Sequence, residues 1–420
     1  MKLKILLYLL AKMLVRASKK NDLVKKMTAG KNVVFQIRTE NGKTARHFIL
    51  NQGEFQTAPT THNAPDFSII FADDKFGFSV LTSKDKKAFL NGILEKKIKI
   101  EGDFSLIIWF QNLIGLLKKK KNPIPAGLNI IGFVGAGFIG TPMIRSLIRN
   151  QFTVKAFDKN SDAVKNLSEF GAVACDSLKD LVDTDLLVIM VNNMDQVREV
   201  VWEFSDMLST KTNFKIVVMS TISPDEIVQL QQELVEKGYT HLRLIDAPVS
   251  GAPLNAEAGK LAIMVGGDES DYKEIKPVLE AMGENIFYMG ELGRGSAMKL
   301  VNNILGLTSG LATAEAIYLG VEKGLQPDQM AEVINQSSGK NFLTTQWPLT
   351  LKLFEMMTSD DVFGAKDALF TTGMKDLSVT KKWAATDKLE LSTLENGIDQ
   401  LNYLSDGKFD MMLKTILRAV

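Results

Sequence analysis

"GFVGAGFIGTPM", residues 132–143, decides the fold of the larger part of this chain. Its glycines fall at Gly135, Gly137 and Gly140, in the spacing G-x-G-x-x-G. The apolar run "LNIIGFV" (128–134) precedes them, and a helix-forming run follows from about Thr141. A strand that turns sharply into a helix uses each glycine differently. Gly135 permits the turn, Gly137 lets backbone approach a pyrophosphate, and Gly140 lets helix and strand pack closely. The amide groups at the start of the helix then face the phosphates. With Phe138 and Ile139 between the last two glycines, the turn is a candidate dinucleotide cradle.

Downstream, strands keep alternating with helices: "FTVKAFD" (152–158), "LLVIMV" (186–191) and "KIVVMS" (215–220). This rhythm predicts a Rossmann-type α/β domain, a doubly wound parallel sheet. Asp158 ends the second strand, 23 residues after Gly135. A carboxylate there bonds the ribose hydroxyls and repels a 2′-phosphate, so the expected cofactor is NAD; the cation of Lys159 leaves NADP open. From Gly295 the strands cease. "GSAMKLVNNILGLTSGLATAEAIYLGVEKG" (295–324) reads as one long helix, and helices continue to Val420 as an all-α domain.

The 420 residues suit two or three domains, and 45% hydrophobic with 24% charged residues is a soluble, globular balance. A net charge of +1 gives no global field for nucleic acid. One cysteine, Cys175, excludes an internal disulfide framework and suits a reducing, cytoplasmic setting. His47, His62 and His241 stand far apart in sequence without metal-ligand spacing, so no metal is expected. A chain this poor in histidine needs another group to move a proton. "MKLVNN" (298–303) offers one: Lys299 and Asn303 stack on one helix face, four residues apart.

Before this lies a different pattern. "NVVFQIR" alternates Val33, Phe35 and Ile37, Asn41-Gly42 marks a hairpin turn, and "DFSIIF" alternates Phe67, Ile69 and Phe71. A short helix around "SKDKKAFLNG", a strand "KIKIEG" and the helix "DFSLIIWFQNLIGLL" complete an α+β domain. That last helix is apolar almost all round, so it is buried on several sides or lines an apolar cavity. "KKKKNPIPAG" (118–127) reads as a linker. The divisions are therefore 1–118, linker 119–127, 128–294 and 295–420. "MKLKILLYLLAKMLVR", at the start, is read as an amphipathic helix packed on its own domain, in preference to a membrane-surface helix or a cleaved signal.

Two resemblances follow. "KAFLNG" and the "KIEGD" step resemble the sterol carrier protein family over about residues 1–118. That implies a curved sheet under helices with a tunnel for an acyl or sterol chain. "DAPVSGAPLNAEAGKLAIMVGG", with the glycine motif, "MSTISPD", "GSAMKLVNN" and "MKDLSVT", strongly resembles the β-hydroxyacid dehydrogenase family over about residues 128–395. The resemblance implies hydride transfer between a nicotinamide cofactor and a 3-hydroxy acid such as 3-hydroxyisobutyrate, or its semialdehyde. It assigns Ser250 and the Gly251 amide to the substrate carboxylate, Lys299 as general acid/base and Asn303 to orienting the substrate. Thr221 and Val191 would sit near the cofactor, and Lys375 would close over it. Asn192 stands where relatives usually carry proline, Asn302 where sugar-phosphate enzymes often carry histidine, and Ala252 where glycine is frequent. A homodimer through the C-terminal helices fits the same reading. The rival is a lipid-binding or regulatory protein whose dinucleotide domain only senses cofactor; a sensor has no need of Lys299, Asn303 and Ser250.

Overall fold

The computed structural model describes residues 2–83, 88–117, 127–208, 213–251, 253–358, 365–405 and 407–420. The expected linker, up to Ala126, and Ala252 lie outside them. By its internal contacts the chain divides into two units: Met1–Met190, Gly251–Leu261 and Ile275–Glu284 form the first, and Val191–Ser250, Ala262–Glu274 and Asn285–Val420 the second.

The first unit begins with α1 (Lys2–Lys20), α2 (Asp22–Thr28), β1 (Asn32–Thr39), β2 (Ala45–Asn51), β3 (Glu54–Ala58) and β4 (Phe67–Phe71). There follow α3 (Asp74–Thr82), α4 (Ala88–Leu94), β5 (Ile98–Gly102) and α5 (Phe104–Leu117). The strands form one sheet, ordered β3-β2-β1-β4-β5. The hairpin turn between β1 and β2 holds Gly42 at φ 66°, as its Asn-Gly pair predicts. The strand β4 departs from the expected one-sided alternation, because all five of its residues are buried. It lies inside the sheet, parallel to β1 and antiparallel to β5, and is covered on both faces. The sequence reading also placed one helix where two occur: α3 starts earlier, where the Asp73 side chain accepts a bond from the Phe76 amide.

Aromatic rings fill the middle of this sheet. Phe35 stacks on Phe48 at 4.6 Å and on Phe67 at 5.0 Å, and Phe110 of α5 tilts onto Phe35 at 4.6 Å. Ile107, Trp109, Leu113 and Leu116 of α5 are buried too, and the Trp109 indole donates to the Met27 carbonyl. Among the described side chains of α5, these apolar residues face the core. The sheet also brings His47 and His62 together, ring centroids 5.5 Å apart, although they are distant in sequence.

The same unit continues with β6 (Ile130–Val134), α6 (Gly140–Arg149), β7 (Thr153–Phe157), α7 (Ser161–Ser168), β8 (Val173–Ala174), a 3-10 turn (Leu178–Leu181) and β9 (Leu186–Ile189). These strands run parallel in the order β9-β6-β7-β8. With β9 on one side of β6 and β7 on the other, the chain reverses its winding direction at β6, where such sheets bind ligands. Helix α5 packs on α6, and Lys31 pairs with Glu169 at 2.8 Å.

In the second unit, α8 (Met194–Ser205), β10 (Phe214–Val218), α9 (Pro224–Glu236) and β11 (Leu242–Asp246) continue the rhythm, and β10 and β11 are parallel. Then the parallel pattern stops. After β12 (Val249–Ser250) and α10 (Pro253–Glu257, in the first unit), β13 (Leu261–Gly266) runs antiparallel to β11 and β12. There follow α11 (Glu269–Met282) and β14 (Gly283–Gly290), which pairs with β13. The rest is helical: α12 (Arg294–Glu322), α13 (Pro327–Asn335), α14 (Phe342–Thr345), α15 (Trp347–Thr358), α16 (Ala365–Thr386), α17 (Ser392–Ser405) and α18 (Lys408–Arg418). Their core includes Ile317, Leu377, Leu401, Leu413 and Ile416, all at most 2% exposed.

Candidate functional site

The first unit holds the glycine turn. Gly135 has φ 102°, which favours glycine, and its amide donates to the Phe157 carbonyl at 3.0 Å. A Cβ on Gly140 would lie 2.0 Å from the Gly135 carbonyl oxygen, so only glycine fits there. A Cβ on Gly137 would meet nothing within 4 Å. The protein itself therefore does not require that glycine, whereas a ligand lying on the backbone would. Ile139, the N-cap of α6, makes no side-chain hydrogen bond to the first amides of the helix, and free amides at a helix start suit an anion. Phe138, beside it, is 38% exposed. Asp158 sits at the end of β7 as predicted: one carboxylate oxygen accepts from the Ala136 amide at 2.6 Å, the other from the Asn160 amide at 2.7 Å. It fixes the shape of the turn as well as offering a carboxylate beside it.

The second unit holds Lys299, the candidate proton-transfer group. Lys299 and Asn303 lie one turn apart on α12, each 8% exposed. Burial, first of all, lowers the Lys299 pKa from 10.5 to about 8; Asp376 opposes the shift and Lys375 adds to it. The start of the helix is pinned to β11. The fully buried Asp246 accepts from the Gly293 amide at 2.8 Å and the Ser296 amide at 2.5 Å. Burial raises the pKa of Asp246, while these amide bonds pull the other way. Gly295 permits the close approach, because a Cβ there would lie 2.3 Å from the Met264 carbonyl oxygen.

Asp376, on α16, was not singled out from the sequence. It is buried and accepts from the Asn303 side-chain amide at 2.6 Å. Lys375 Nζ lies 3.1 Å from its other oxygen, close enough for an ion pair but not aligned as a hydrogen bond. In the sequence the signal of Asp376 is its place in "MKDLSVT", next to Lys375. Asp246 heads the run "DAPVSG", and its bonds to α12 come from across the fold.

Lys375 gathers the expected cofactor residues of this unit. Its Nζ donates to the carbonyl of Asn192 at 2.9 Å and to that of Thr221 at 3.3 Å. Val191, just before Asn192, donates its amide to Ser220 Oγ at 2.9 Å. The Asn192 amide donates to Gln196, so the asparagine keeps its backbone ordered where proline was expected. Ser250 ends β12, its hydroxyl 3.4 Å from the Asn302 amide nitrogen, a long contact. Gly251 follows at φ 145°. Cys175 is buried, with its pKa raised to about 11, first by burial, so it remains a thiol.

Residues 130–290 match the model of the NAD binding domain of 6-phosphogluconate dehydrogenase. Residues 293–402 match the NAD-binding model of NADP-dependent 3-hydroxyisobutyrate dehydrogenase. The chain is 38% identical to a 2-(hydroxymethyl)glutarate dehydrogenase of Eubacterium barkeri over 214 residues, 50% of this chain and 70% of that one. It is 37% identical to a 3-hydroxyisobutyrate dehydrogenase of Pseudomonas aeruginosa over 223 residues, 52% of this chain and 74% of that one. Among solved structures, a Mycobacterium tuberculosis 3-hydroxyisobutyrate dehydrogenase with L-serine shares the fold at TM-score 0.56 and 24% identity, covering 69% of this chain and 99% of that one.

Proposed function

The chain belongs to the β-hydroxyacid dehydrogenase family, 3-hydroxyisobutyrate dehydrogenase-like, and is an NAD(P)-dependent oxidoreductase of hydroxy acids; from that premise we propose that its substrate is a small 3-hydroxy acid or the matching semialdehyde, and that Lys299 moves the proton. The observation that carries this reading is a lysine buried beside Asn303 and Asp376 with its pKa at about 8. Relatives named for 2-(hydroxymethyl)glutarate and 3-hydroxyisobutyrate support the substrate class. Both molecules carry a hydroxyl on the carbon β to a carboxylate.

The nicotinamide, when bound, gives or takes the hydride. In oxidation, neutral Lys299 Nζ accepts the hydroxyl proton as the hydride leaves. In reduction, the ammonium form gives that proton to the forming alkoxide. Asp376 accepts a hydrogen bond from the Asn303 side-chain amide and so sets the carboxamide that orients the substrate. Ser250 and the Gly251 amide take the substrate carboxylate. Gly135, Gly137, Phe138, Ile139 and Gly140 hold the pyrophosphate, and Asp158 selects NAD over NADP. Val191, Thr221 and Lys375 line the cofactor.

The N-terminal sheet, with its helix α5, supports a sterol-carrier-like module that takes an acyl or sterol chain, and the single buried cysteine supports a cytoplasmic setting. Leu305 and Leu319, 67% and 59% exposed on α12, support a homodimer through the helical part. The alternative, a cofactor sensor, leaves the Lys299 network without purpose. The test is NADH oxidation with a panel of semialdehydes, beside Lys299→Ala. The variant should keep cofactor affinity and lose roughly 10²- to 10⁴-fold in turnover. A loss below about tenfold at saturating substrate, or a wild type inactive on the whole panel, refutes the assignment.

A further inference from the structure

Helix α1 has two apolar faces. Leu3, Leu7, Ala11 and Leu14 are buried, at most 2% exposed, and dock the helix on its own module. Ile5, Leu9 and Met13, spaced four apart, form a second row on the opposite side, 52%, 49% and 47% exposed. Tyr8 beside them is 46% exposed. The helix contains no acidic residue and six cations: Lys2, Lys4, Lys12, Arg16, Lys19 and Lys20. The whole chain carries only +1, so this positive charge is local to the helix. Lys12 lies 4.8 Å above the Tyr8 ring, and the Arg46 guanidinium is 5.7 Å from it.

We propose that α1 lies flat on an anionic lipid bilayer, with Ile5, Leu9 and Met13 entering the headgroup boundary while the exposed Lys12 and Arg16, which flank this row, reach the lipid headgroups. A contiguous exposed apolar row rimmed by cations marks an interaction surface. An acidic nucleic acid would match the cations and leave the apolar row unused. An anionic membrane surface matches both at once, because long basic side chains reach the headgroups while the apolar row sinks below them. The inference is independent of the active-site assignments.

The test uses the full chain and sedimentation with vesicles of phosphatidylcholine alone or mixed with phosphatidylserine, at low and high salt. Binding should require phosphatidylserine and weaken with salt. Two variants separate the contributions: Leu9→Ser with Met13→Ser, and Lys12→Glu with Arg16→Glu. All four side chains point away from the module, so the circular dichroism spectrum and NADH oxidation should not change. Each pair should lower partitioning roughly tenfold or more. Equal partitioning of variants and wild type overturns the proposal, as does no binding beyond the phosphatidylcholine control. So does a homodimer without lipid affinity that Leu9→Ser with Met13→Ser dissociates, since the row would then cover a second copy.

Discussion

The pH dependence of each reaction direction tests the Lys299 assignment most directly. The perturbation is pH itself. With a pKa of about 8, roughly one Lys299 in ten is neutral at pH 7; at the ordinary 10.5 the fraction is about one in 3,000. Burial therefore supplies about 300-fold more free base at neutrality. Oxidation of the hydroxy acid consumes the neutral amine, so its kcat/KM should rise about tenfold per pH unit below about 8 and then level off. Reduction consumes the ammonium, so it should be flat below the same midpoint and fall above it. Asp376 favours the charged lysine, so Asp376→Asn should move the midpoint down. Lys375 disfavours it, so Lys375→Gln should move the midpoint up. The assay is the initial rate of NADH formation or loss at saturating cofactor across the pH range. A profile without a break between about pH 7 and about 9, or an upward shift in Asp376→Asn, would refute the reasoning.

Two further outcomes follow from the same geometry. Lys299→Met should abolish turnover yet stabilise the fold, because a lysine lowered from 10.5 to about 8 opposes folding. That opposition is absent above 10.5, grows as pH falls, and reaches about 3 kcal/mol below about 8. Denaturant unfolding at neutral pH should therefore show a gain of roughly 1–3 kcal/mol that vanishes at high pH; a loss at neutral pH contradicts it. Asp158→Asn should relax or invert the preference for NADH over NADPH, read as the ratio of kcat/KM values, while its side-chain oxygen keeps the Ala136 amide bond. A wild type more efficient with NADPH would contradict the role given to Asp158.

Local features were legible in the sequence because they depend on neighbours along the chain. The glycine turn, the strand–helix alternation and the stacking of Lys299 on Asn303 are all short-range geometry. So is the hairpin at Asn41-Gly42. The antiparallel pairing of β13 with β11 and β12, and its pairing with β14, were not legible, since an apolar run does not announce its partner strand. The burial of both faces of β4 was hidden for the same reason: its parallel partner β1 lies a crossover away.

The sequence by itself marked the candidate residues for the chemistry; only the tertiary structure decided their state. Lys299 is an ordinary lysine until α12 is buried and tied to β11 through Asp246. Asn303 gains its orientation from Asp376, 73 residues further along the chain. On α1 the sequence put apolar residues at helical spacing without telling which row is buried. Packing chose Leu3, Leu7 and Leu14 for the core and left Ile5, Leu9 and Met13 in solvent. The physical reason is common to all three: a pKa, a carboxamide's orientation and a side chain's exposure are set by what lies across space, and spacing along the chain does not specify that.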